Sequence, residues 1–168
     1  MKIAKQRTRK ARPARLDLNV EYVVAPAGWP DAETLTRWAA AALQAGVDTA
    51  EIGLRVVDEA EGRTLNRDYR GKDYATNVLT FALNEGDDPL PGMPLFGDIV
   101  LTAPVIEREA REQGKTLAAH CAHMVVHSML HLQGFDHIED AEAEAMEALE
   151  TVIVKRLGYP DPYGEEHA

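Results

Sequence analysis

The sequence predicts an α+β fold: a mixed sheet of about four strands packed with helices, one of them a central helix that bears a metal. Three observations predict it. Short stretches rich in β-branched residues are separated by segments with helical apolar periodicity. Capping and stop residues flank those segments where helices need them. A late apolar helix carries His127 and His131 four apart, followed by Gly134 and His137. With 168 residues and 45% hydrophobic content the chain can bury one core. One domain is therefore expected over residues 16–168, preceded by a flexible basic arm over residues 1–15.

Leu16 to Val24 reads as the first strand, ended by Pro26, Gly28 and Pro30. Asp31 is placed to cap a helix running to about Ala45, with Leu35, Trp38, Ala39, Ala42 and Leu43 on its buried stripe. Glu51 to Val57 forms a second strand, and Asp58 caps a short helix to about Tyr69. Asn77 to Leu83 forms a third strand. Gly86, Pro89, Pro91, Gly92 and Pro94 make 84–94 a mobile loop. Phe96 to Thr102 is the fourth strand, and Ala103 to Gln113 is an amphipathic helix stopped by Gly114. Lys115 to Leu132 is the histidine helix, with Leu117, Cys121, Met124 and Val125 as its apolar stripe. Glu139 to Leu157 is the last helix, stopped by Gly158. Ala141, Ala145, Leu149, Val152 and Ile153 point inward, and its acids form a solvated face. The tail from Tyr159 to Tyr163 carries no signal.

In a helix, residues four apart differ by about 40° around the axis and stack one turn above the other, so His127 and His131 present two imidazoles to one ion. Gly134, able to adopt positive φ, lets the chain reverse and return His137 as a third ligand. Three neutral nitrogens and one open position describe a catalytic zinc site. His123 with His127 and His131 fails as a trio, because its ends lie about 12 Å apart along the axis. His120 and His123 are therefore not direct ligands; they are read as packing residues, with support of the ligands or contact to substrate as the alternatives.

No apolar run approaches the roughly 18 residues that span a bilayer, and the basic start lacks the apolar region of a signal peptide. The expectation is a cytoplasmic protein with no membrane partner. Cys121 is the only cysteine, so an intrachain disulfide is excluded, and it reads as a small core residue. The net charge of −10 conceals a division: residues 1–15 hold seven of the 18 lysines and arginines and no acid, leaving eleven against all 28 acids in the rest. Such an arm suits a nucleic-acid contact, or is a solvated tail. In the folded body Arg63, Arg67, Arg70 and Lys72 are clustered, as phosphate recognition requires; alternatively they are surface cations paired with nearby acids.

A three-histidine metal lowers the pKa of bound water to about 7, which favours hydrolysis. Zinc peptidases of the H-E-x-x-H pattern carry a glutamate after the first histidine as general base. Here that position is Ser128, so peptide hydrolysis by that route lacks its base. Asp136 is the nearest carboxylate in sequence for orienting a histidine or handling a proton; a turn-stabilising role is the alternative.

The stretch from His127 to His137 resembles the H-G-x-L-H-L-x-G-Y-D-H signature of the YbeY family, bacterial metal-dependent endoribonucleases of ribosomal RNA maturation. The likeness extends to Leu65-Asn, Tyr69-Arg-Gly-Lys-Asp, Thr76-Asn-Val-Leu-Thr-Phe, Gly97-Asp-Ile-Val, Met146-Glu-Ala-Leu-Glu and Leu157-Gly-Tyr, roughly residues 20–163. Ser128 stands where the family commonly has Gly, and Phe135 where it has Tyr. The resemblance implies a zincin-like fold, one zinc held by His127, His131 and His137, a functional arginine at Arg70, and single-stranded RNA as substrate. It further implies a role in 16S ribosomal RNA 3′ end maturation and ribosome quality control, with the small ribosomal subunit or its assembly factors as partners and no DNA. Two alternatives stand beside it: a zinc hydrolase of another substrate class, and a ribosome-assembly factor whose zinc is structural. Deleting residues 1–15 is expected to weaken RNA binding and flatten its dependence on salt; an unchanged slope of log K against log salt would make the arm an inert tail.

Overall fold

The computed structural model describes residues 14–83, 94–136 and 139–164. Among these the chain runs β1 (Arg15–Tyr22), α1 (Ala32–Ala41), β2 (Thr49–Val57), α2 (Glu59–Arg70), β3 (Val78–Ala82), β4 (Leu95–Thr102), α3 (Ala103–Glu112), α4 (Leu117–Leu132) and α5 (Asp140–Arg156). The basic arm as far as residue 13, the loop 84–93 and His137 lie outside the described residues. Arg15, expected in the arm, is the first residue of β1 and pairs with Thr49. A truncation that spares the sheet therefore stops short of it.

The strands form one mixed sheet in the order β1-β2-β4-β3, with β1, β2 and β4 parallel and the edge strand β3 antiparallel to β4. Local chemistry sets most of the boundaries. The Asp31 and Asp58 carboxylates each accept a backbone N–H three residues on, from Thr34 and Glu61, at 2.8 Å. Gly71 ends α2 at φ 72°. Helix α1 stops at Ala41, short of the expected Ala45, because the chain tightens there. The N–H groups of Ala42 and Leu43 donate three residues back, to Ala39 and Ala40. Gln133, beyond the end of α4, then takes over the loose ends: its Nε2 donates to the Ala42 carbonyl at 2.8 Å and its Oε1 accepts from Gln44 N–H at 2.8 Å.

Alternation along the strands divides the sheet into two faces. Leu18, Val20, Ile52, Leu54, Ile99 and Leu101 belong to the main core, which the apolar residues of α1, α4 and α5 complete. On the other face Val57, Leu79 and Val100 pack with Phe81 and with Leu65 of α2. The sheet thus separates α2 from α4. Helix α4 packs on α1, α3, α5, β3 and β4. Eleven of its 16 residues are buried, the pattern of a helix enclosed on nearly all sides, and its side chains are correspondingly held in place. The Cys121 thiol is within this core, and burial pushes its pKa up to about 12, so it is inert packing as expected.

Helix α5 departs from expectation. Ala141, Ala145 and Val152 are exposed, Leu149 is half-buried, and the buried stripe is Met146, Glu150, Ile153 and Val154. The expected stripe is rotated from the observed one because it keeps every acid in solvent, whereas Glu150 is fully buried. Its compensation lies in the functional site.

Gly97 sets the approach of α4 to the sheet. A Cβ there would come within 2.8 Å of Leu132 Cδ2 and 3.1 Å of the Phe81 carbonyl oxygen. Gly97→Ala is expected to destabilise the chain by about 1–3 kcal/mol, the usual cost of overpacking, read as a lower urea midpoint at unchanged slope.

Candidate metal centre

His127 and His131 lie one turn apart on α4, and both are half-buried. The helix ends in the motif its glycine predicts. Gly134 adopts φ 100°, its N–H donates to the His131 carbonyl at 3.0 Å, and Phe135 N–H reaches back to the Leu130 carbonyl at 3.1 Å. This turn also aims the Phe135 carbonyl, which accepts from His131 Nδ1 at 3.1 Å. The ring of Phe135 packs on the core, so this residue serves the site through its backbone. Asp136 follows, half-buried.

The Nδ1 of His127 is held by the Glu150 carboxylate from α5. The other Glu150 oxygen accepts from His123 Nε2 at 3.0 Å and from the Tyr163 hydroxyl. Burial alone would push the Glu150 carboxyl up, but the hydrogen bonds from His123, His127 and Tyr163 outweigh it and hold the pKa down, to about 2. Glu150 is therefore a buried anion with donors on both oxygens, the condition under which such a charge is tolerated.

Both liganding candidates are consequently set in one tautomer. With an acceptor on Nδ1, each ring keeps its proton there and carries the metal-binding lone pair on Nε2. This donor chemistry fits a zinc ion. Among the described residues no three His, Cys, Asp or Glu side chains are gathered to hold a metal, so the third donor of the predicted set, His137, lies outside them.

His123 belongs to the Glu150 network, the supporting role that stood as an alternative to packing. His120 is buried too, with Nε2 on Glu109 at 2.9 Å, and Asn77 Nδ2 donates to the same carboxylate at 3.1 Å. Burial lowers the His120 pKa, with Glu109 opposing in part. Ser128 is buried and its hydroxyl donates to the Met124 carbonyl at 2.7 Å, so it has no part in the site.

The basic cluster is on α2, which packs on the far face of the sheet. Arg63 forms a two-point ion pair with Asp73 and Arg67 bonds Asp68, both exposed. Arg70 and Lys72 are exposed and have no ion pair among the described residues. They stand where the chain leaves α2 for β3, the strand against which α4 packs. Asp98 points away from α4: it lies over Gly53 on the α2 face.

Glu150 and Tyr163 are the residues that the sequence pattern concealed. A signal for Glu150 existed in its place on the stripe, four after Met146 and three before Ile153. None existed for Tyr163.

The family model of Endoribonuclease YbeY matches residues 30–158. The Endoribonuclease YbeY of Laribacter hongkongensis is 63% identical over 167 residues, covering 99% of this chain and all of that one. That of Chromobacterium violaceum is 62% identical, covering 99% of each. Among solved structures, the solution structure of TM1509 from Thermotoga maritima is similar at a TM-score of 0.59 and 25% identity, covering 90% of this chain and 92% of that one.

Because the folded state holds the Glu150 carboxyl below its ordinary value near 4.5, the stability it contributes is complete above that pH and is lost as pH falls towards 2. In chelator-treated protein, Glu150→Gln is expected to remove part of the fall in stability over that window, measured by urea unfolding at stepped pH.

Proposed function

Because the chain belongs to the YbeY endoribonuclease family, we propose that it is a zinc-dependent endoribonuclease cutting single-stranded RNA, with His127, His131 and His137 holding one zinc ion. Its setting on this reading is ribosomal RNA processing in the cytoplasm, including 16S 3′ end maturation and ribosome quality control, with the small ribosomal subunit or its assembly factors as partners. Among the described residues no helix is long and apolar enough to cross a membrane.

The observation that carries the reading is the pair of Nδ1 acceptors, Glu150 for His127 and the Phe135 carbonyl for His131, which turn two Nε2 lone pairs to metal binding. When bound, zinc supplies a Lewis acid at the scissile phosphate. The residues of the chain do the rest. Arg70 holds the phosphate and neutralises its developing charge; the absence of an ion-pair partner among the described residues supports that role. Lys72 adds a second cation, and Arg63 and Arg67 contribute to RNA binding from the same helix. Asp136, next to the third ligand, holds or takes up the proton of the attacking oxygen. Ser128 cannot serve as base, because its hydroxyl is bonded within α4, which keeps the chemistry apart from peptide hydrolysis.

Two measurements test this. Purified wild type is expected to hold about one zinc per chain, lost in His131→Ala with its circular dichroism retained; full zinc in that variant would sink the ligand assignment. On single-stranded RNA, His127→Ala and Arg70→Ala prepared in parallel are expected to cut about 100-fold more slowly than wild type. Equal activity in all three would identify a contaminating nuclease and favour an assembly factor with structural zinc.

A further inference from the structure

We infer that Glu150 is the positioning residue of the metal centre, and that the C-terminal segment through Tyr163 is part of that centre because it holds Glu150 in place. The inference rests on the zinc reading above and assigns a new role to residues outside the ligand set.

Three groups converge on one carboxylate. Glu150 gives one oxygen to His127 and the other to His123 and Tyr163, and it is fully buried. Its position is thereby fixed from three elements: α4, α5 and the tail. The tail is itself docked at several points. Tyr159 packs edge-on against Trp38 with ring centroids 5.9 Å apart, Lys115 Nζ donates to the Pro162 carbonyl at 2.7 Å, and Asp161 Oδ1 accepts from Thr151 Oγ1 of α5 at 3.5 Å while bracing Tyr163 N–H within the tail at 2.8 Å. Tyr163 lies beyond residues 30–158, the stretch matched by the family model. His123 completes the arrangement: its Nε2 is 3.2 Å from the Tyr163 hydroxyl oxygen, so both groups bear on the same Glu150 oxygen.

The consequence for His127 follows from hydrogen-bond chemistry. A carboxylate only accepts, so it dictates a proton on Nδ1 and raises the electron density on Nε2. A glutamine has one accepting and one donating end. If its amide nitrogen meets His127, the ring proton moves to Nε2 and blocks the metal; if it meets His123, that ring must shift its proton to Nδ1, which is buried without a partner among the described residues.

The test is zinc affinity, measured by competition with a chromophoric chelator, on wild type, Glu150→Gln, Tyr163→Phe and the control Glu109→Gln, whose carboxylate serves His120. Expected are a loss of about 10- to 100-fold for Glu150→Gln, a smaller loss for Tyr163→Phe, and no change for the control. Nitrogen NMR of metal-free wild type is expected to place the His127 proton on Nδ1. Unchanged affinity in both Glu150→Gln and Tyr163→Phe, an equal loss in the control, or a wild-type His127 proton on Nε2 would overturn the inference. Failure of the wild type itself to bind zinc would overturn the metal reading instead.

Discussion

An imidazole taken out of water keeps at least one N–H that must find an acceptor, and α4 places four imidazoles along one enclosed helix. The surroundings of α4 are arranged to meet that demand. Glu109 on α3 serves His120, Glu150 on α5 serves both His123 and His127, and the Phe135 carbonyl serves His131. Each acceptor comes from a different part of the chain, and the two that bear on His127 and His131 are in place only when α5 and the turn after α4 have docked. The apolar burial that drives that docking and the hydrogen bonds that orient the histidines are parts of the same packing.

The two faces of the sheet carry different duties. One is closed by α1, α4 and α5 and supports the histidines. The other carries α2, where Leu65 packs beside Val57, Leu79 and Val100 while the arginines remain in solvent. The chain therefore combines a rigid half, in which the partly buried histidines sit on an enclosed helix, with an exposed cationic half, joined at the edge strand β3. Mobility of the cations costs little, since a long side chain adapts to a phosphate, whereas ligand nitrogens have to be held within a few tenths of an ångström. Arg63 and Arg67 meet their carboxylates in the open, where such pairs contribute little to stability.

Much of this was legible in the residues. Asp31 and Asp58 cap their helices as read, Gly71, Gly114 and Gly134 take positive φ at their ends, and the four strands fall within a few residues of expectation. These are short-range effects, in which a side chain or a missing Cβ acts on backbone within a few positions. Gly134 shows how far the local signal reaches, since the turn it permits both ends α4 and delivers the carbonyl that orients His131. The boundary of α1 differs from expectation because the chain tightens after Ala41 and Gln133, some ninety residues away, takes the Ala42 carbonyl just past the end of that helix.

By itself the sequence determined the elements, the i, i+4 pair of histidines with its stop, and the absence of a peptidase base at Ser128, because each depends on spacing along the chain. Only the tertiary structure decided that Glu150 is a buried anion, that His123 belongs to its network and that Tyr163 closes it. An acid on a helix full of acids reads as solvated surface, since burying a lone carboxylate is costly. What reverses that sign is three donors arriving from α4 and from a tail with no periodicity, a coincidence in space that no spacing records. The H-x3-H-x2-G-x2-H stretch pointed to the histidines; the carboxylate that orients His127 came from a different helix, through packing alone.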